Sequence, residues 1–118
     1  MRLPRPRLQV RLRTLVILVA LAAVGSGSVV WMDRRASHFR RVAMDYRDMA
    51  KLDEIQAALE VLQAGVAGPD SSVGHLARSR RCAAIAAYRR ALQGKYEYAA
   101  AHPWIPLGPD PPPPMFPD

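Results

Sequence analysis

Cysteine is nearly absent: Cys82 stands alone, so no intrachain disulfide, CxxC redox pair or multi-cysteine zinc site can form. Histidine is also sparse. His38, His75 and His102 are far apart, none has a histidine or cysteine three or four residues away, and they read as helix-end or surface residues. No glycine-rich phosphate loop occurs, and no serine sits in a nucleophile-elbow context. Asp45, Asp48, Asp53 and Glu54 are interspersed with Arg47 and Lys51, the pattern of a solvated helix face rather than a metal site. Arg80 and Arg81 beside Cys82 would lower a thiol pKa if close in space, but the residue reads as a small apolar core position. The length, 118 residues, leaves room for one small soluble domain. Its helical part, about residues 33 to 102, would bury on the order of 60% of its unfolded surface. The sequence thus points away from an enzyme, and it calls for no cofactor, metal or small-molecule substrate.

What the chain has in abundance is positive charge, a net +7, placed unevenly. Residues 1–13 carry five arginines and no acid, whereas residues 33–64 balance six bases against six acids. Residues 75–102 carry Arg78, Arg80, Arg81, Arg89, Arg90 and Lys95 against Glu97 alone, a balance of +5.

Between these segments, Thr14 to Met32 contains no charged side chain, and Leu15 to Val24 reads LVILVALAAV. As a helix, residues 14–32 would be about 28 Å long, close to the hydrocarbon thickness of a bilayer. Arg13 and the trio Asp33, Arg34 and Arg35 bracket the run, and Trp31 stands at headgroup level. A cleaved signal peptide is the competing reading, with small residues around Val24, Gly25 and Ser26 available to a peptidase. Against it, Val29, Val30, Trp31 and Met32 resume the run and bring it to spanning length. Ala23 and Gly27, four residues apart, are candidates for close packing between membrane helices. Five arginines flank the run on either side, so the positive-inside bias is even. A free amino group on the first side tips the expectation toward a cytoplasmic N-terminus, with the bulk of the chain outside.

After the run, Phe39, Val42, Tyr46, Met49, Leu52, Ile55, Leu59, Leu62 and Val66 form a stripe at coiled-coil spacing, with one irregularity near Leu52. No proline or glycine interrupts residues 28–64, so one helix can continue from the apolar run into this segment. Residues 65–74, GVAGPDSSVG, have linker composition, and residues 75–102 form a second helical stretch with a weaker stripe of Cys82, Ile85, Tyr88, Leu92, Tyr96 and Ala99. The predicted fold is all-α: a transmembrane helix (14–32) continuing into an antiparallel, coiled-coil-like helical hairpin, then a proline-rich extended tail (103–118). The hairpin interface is expected at Phe39, Val42, Tyr46, Met49, Leu52, Ile55, Leu59 and Leu62 against Ile85, Tyr88, Leu92 and Tyr96. An alanine-rich second helix gives a thin interface, so self-association or a protein partner would complete it.

In the tail, eight of the sixteen residues are proline, which excludes helix and central strand. Pro103, Pro106, Pro109 and Pro112 would share one edge of a polyproline II helix, although the basic residue that orients ligands of aromatic grooves is missing. Pro103 should stop the second helix at His102. Trp104 is expected to dock on the hairpin, making 103–107 part of the folded unit and leaving 108–118 free.

Arg11–Leu15, Phe39–Arg40–Arg41, Lys95–Tyr96–Glu97 with Ala99–Ala100, Pro103–Trp104, Pro106 and Pro109–Asp110–Pro111–Pro112 together resemble small, uncharacterised membrane-anchored proteins of planctomycete bacteria. The resemblance covers most of the chain in order and is most specific from Lys95 to Pro112. It implies the same layout of one span, a helical pair and a proline-rich end, and it implies no activity.

The functional expectation is therefore a non-enzymatic single-pass membrane protein whose hairpin is an interaction or structural module in contact with the lipid bilayer. A rival reading has Arg78, Arg81 and Arg89 on one side of the second helix touching anionic lipid or nucleic acid. Nucleic acid is the less favoured of the two, because no recognisable reading module is present.

Overall fold

The computed structural model describes residues 6–117, and Arg2 and Arg5 of the basic N-terminal segment lie outside them. Two helices, α1 (Pro6–Val66) and α2 (Pro69–Ala101), account for all regular structure among the described residues. The chain divides into two units, Met1–Arg34 and Arg35–Asp118.

Unit 1 is the apolar part of α1. From Leu12 to Trp31 its large apolar side chains are exposed, Leu15 at 60% and Val24 at 69%, and its most apolar stretch is long enough to cross a membrane. Serine is tolerated in this stretch because the helix satisfies it locally. Ser26 Oγ donates to the carbonyls of Ala22 (2.8 Å) and Ala23 (3.1 Å), and Ser28 Oγ to that of Val24 (2.8 Å).

Unit 2 packs the rest of α1 against α2. The contacts between them descend in order: Glu60 meets His75, Ala57 meets Ser79, Asp53 meets Arg89, and Tyr46 meets Tyr96. The buried and half-buried face of α1 repeats every seventh residue in alanine: Ala36, Ala43, Ala50, Ala57 and Ala64. Phe39, Tyr46, Asp53 and Glu60 fall between them, giving the alternating three- and four-residue steps of a coiled-coil seam. The matching face of α2 is His75, Ser79, Cys82, Ala86, Arg89, Gln93, Tyr96 and Ala100, at the same alternation. Alanine at every second seam position of α1 lets the backbones approach closely.

This geometry corrects the predicted interface. Phe39 and Leu92 are buried, and Val42, Tyr46, Ile85, Tyr88 and Tyr96 are half-buried. Met49, Leu52, Ile55, Leu59 and Leu62 are exposed. The irregular steps explain the split. From Tyr46 to Ile55 the stripe advances nine residues, which turns an α-helix about two and a half times and carries the stripe to the opposite side.

The linker is also shorter than its composition suggests, comprising Ala67 and Gly68 alone. Pro69 at the first helical position and Asp70 in the first turn are helix-starting residues, and α2 begins with them. Gly65 and Gly74 are absorbed into the helices, at a cost of about 1 kcal/mol each relative to alanine. At its far end α2 stops at Ala101, where Pro103 disfavours helical geometry at His102, whose N–H still reaches Tyr98 O at 3.0 Å.

Candidate interaction surfaces

Among the described residues, four acid–base pairs join the elements of unit 2. Glu60 accepts from His75 Nδ1 (2.7 Å), Asp53 accepts from Arg89 Nη1 (2.7 Å), and Glu54 pairs with Arg90. Asp53 and Glu60 occupy seam positions, so the half-buried carboxylates are matched by bases of α2 at the same level. Two of the four acids of the solvated face are thereby spent on α2. No group of three or more His, Cys, Asp or Glu among the described residues is arranged to hold a metal ion.

The fourth pair fastens the tail. Lys95 Nζ donates to Asp110 Oδ1 and to the Gly108 carbonyl, both at 2.6 Å, and the Tyr96 hydroxyl lies 3.3 Å from Asp110 Oδ2. The Lys95 hydrogen bond holds the Asp110 carboxyl below its ordinary pKa. Burial, reinforced by the Asp110 charge, pushes the Tyr96 phenol up from its ordinary value. Beyond this clasp, Tyr88 donates to Pro111 O (3.0 Å), and Arg81 lies 5.8 Å from the centre of the Phe116 ring. Arg81, Tyr88 and Lys95 are seven residues apart, a single stripe of α2 along which residues 108–116 run back.

The docking expected of Trp104 is not what the structure has. Trp104 is 62% exposed and meets His102 edge-on at 5.4 Å. Leu107 packs instead against the cluster of Phe39, Ala99 and Ala100, together with Tyr96. The physical reason is the turn after α2, in which Ile105 N–H returns to His102 O (3.0 Å) and the Ile105 carbonyl accepts from Arg35. The chain therefore folds back with Leu107 inward, and the expected free end, 108–118, is fastened as far as Phe116. The sequence held one signal for the clasp: Lys95 is the only lysine of α2, and Asp110 is the sole acid of the tail before Asp118.

The basic face is divided. Arg89 turns to Asp53, Arg81 lies against Phe116, and Arg78 remains exposed, so the three do not form one free patch. Cys82 is half-buried at a seam position. In unit 1, Gly27 has nothing within 4 Å of where a Cβ would stand and lies in a shallow groove with Val24, Ser28 and Trp31, while Ala23 is exposed.

With this geometry in hand, comparison with protein families, curated proteins and solved structures finds no match.

Proposed function

We propose that this chain is a non-enzymatic, single-pass membrane protein. Its α1 and α2 form an antiparallel, coiled-coil-like hairpin that serves as an interaction or structural module outside the cytoplasm, with the tail strapped along it. The observation that carries the reading is the contrast within α1. Its N-terminal apolar stretch exposes its large side chains from Leu15 to Trp31, an arrangement that lipid tails would cover, whereas from Ala36 onward it buries an alanine seam. The descending contact order from Glu60–His75 to Tyr46–Tyr96 supports the antiparallel pairing. The polar pairs of unit 2 hold helices and tail together, and the reading assigns them no catalytic step. Carbonate extraction of membranes containing the full chain, with the intact mass measured, tests it. Recovery of the full-length chain in the pellet is expected. A soluble product lacking about 26 residues would instead make the apolar run a signal peptide and the remainder a secreted helical protein.

A further inference from the structure

The α1 helix has a second seam that nothing among the described residues covers. Leu52, Ile55, Leu59, Leu62 and Val66 follow one another at steps of 3, 4, 3 and 4, and they are 66%, 58%, 51%, 67% and 91% exposed. Each lies two residues after an inward-facing position, from Ala50 to Ala64, hence about 200° further round the helix. The open seam therefore faces directly away from α2.

We propose that this seam pairs with the same seam of a second copy of this chain, in parallel, to form a two-stranded coiled coil over residues 52–66. The inference rests on the membrane-anchored hairpin reading and names its partner. Three observations favour an identical helix. First, the 3-4 alternation of large apolar residues is self-complementary, because in a parallel pair each layer is formed by a residue and its own copy. Second, the positions beside the seam, Gln56, Ala58, Gln63 and Gly65, are uncharged, and the one flanking charge, Lys51 at the start beside Leu52, would lie across from the uncharged Gln56 of a parallel copy. Flanking charges are what select a different partner or repel an identical one, and from Ile55 onward neither device is present. Third, burying the five side chains on both copies would remove about 1,000 Å² from solvent, near the lower limit of a specific interface. An interface of that size gains from two copies held in one bilayer with the same orientation, which raises their effective concentration. The next seam position toward the N-terminus is Asp48, whose copies would oppose each other and which therefore ends the seam at Leu52.

The test is a cysteine scan of the full chain in membranes, in a Cys82→Ser background, under mild oxidation. Leu52→Cys, Ile55→Cys, Leu59→Cys and Leu62→Cys should each give a disulfide-linked dimer, and Arg47→Cys and Val61→Cys, exposed off the seam, should not. Antiparallel pairing would link only residues near the middle, and that result overturns the parallel arrangement. Leu59→Asp should lower the dimer fraction reported at Leu62→Cys at least tenfold, and Asp48→Leu should raise it. An intrachain disulfide between Ala57→Cys and Ser79→Cys, retained in the Leu59→Asp chain, shows that the hairpin itself survives. Links without this periodicity, no links, or a product of other than twice the chain's mass would overturn the proposal while leaving the anchored hairpin standing. Loss of the chain to the carbonate supernatant would instead remove the reading beneath it.

Discussion

Enlarging the small residue Ala50 should harm this protein more than truncating the large residue Ile55. Ala50 is 2% exposed on the face of α1 packed against α2, whereas Ile55 is 58% exposed on the opposite side. Ala50→Leu forces three carbons between helices whose spacing is set by alanine, and overpacking of this kind costs about 1–3 kcal/mol. For a unit the size of Arg35–Asp118, each kcal/mol corresponds to about 4–8 °C, so the melting temperature should fall by roughly 5–20 °C. Ile55→Ala removes the same number of carbons from a solvent-facing position, and alanine is the better helix former, so stability should change by no more than about 0.5 kcal/mol. Thermal unfolding of the full chain, dilute in detergent micelles, is best followed by the near-ultraviolet signal of Tyr46 and Tyr96, whose rings stack at 5.6 Å in the folded unit. The apolar stretch keeps its helical signal in detergent and would mask a far-ultraviolet transition. A neutral Ala50→Leu together with an Ile55→Ala loss of about 2–5 kcal/mol, the range of a core truncation, would refute the alanine seam and put the large apolar stripe against α2.

Removal of one partner from the Asp53–Arg89 pair, by Asp53→Ala, should cost about 1–2 kcal/mol in the same melt, because a half-buried guanidinium loses its charged acceptor. Cutting the chain after Gly108 should lower the melting temperature through loss of the Asp110 and Pro111 hydrogen bonds, while Trp104→Ala stays within about 0.5 kcal/mol. The clasp should also open in acid. Asp110 has a lowered pKa when folded, so its contribution is present above the ordinary carboxylate value and is lost as pH falls through the folded one. A proton resonance of Tyr96 followed through that range should shift in the parent and stay flat in Asp110→Asn. The raised Tyr96 pKa has the opposite sign, its stabilising effect being complete below the ordinary phenol value of 10.0 and lost as pH rises through the folded value. Phenolate absorbance should accordingly appear later in the parent than in Asp110→Asn.

How much of this was legible in the sequence differs from element to element. The apolar run, the two helices and the stop at Pro103 follow from composition, spacing and backbone sterics, and the structure has them. The interface is not legible from large apolar residues, because alanine carries it on α1. Ala36, Ala43, Ala50, Ala57 and Ala64 repeat at seven residues in plain view, but alanine is also the commonest filler of solvated helix faces, so the repeat gains meaning only beside its partner face. The three consecutive steps of three around Leu52 were visible as an irregularity, and geometry turns them into a change of side. The linker is shorter than its composition suggests because proline, aspartate and serine serve turns and helix starts alike. The Lys95–Asp110 clasp joins residues on either side of a turn whose path depends on Leu107 finding the Phe39 cluster, a tertiary contact that no local pattern encodes.

The measurement that tests the central claim most directly is an intrachain cross-link made in the membrane. The full chain carrying Cys82→Ser, Ala57→Cys and Ser79→Cys would be oxidised in place, extracted with carbonate and digested. Mass spectrometry would then identify the linked peptides. Ser79 Oγ lies 3.0 Å from the Ala57 carbonyl, so the two cysteines should join within one chain. The account predicts that disulfide in full-length protein from the membrane pellet. Its absence from the pellet, or its presence only in a shortened soluble product, would contradict an anchored helical pair.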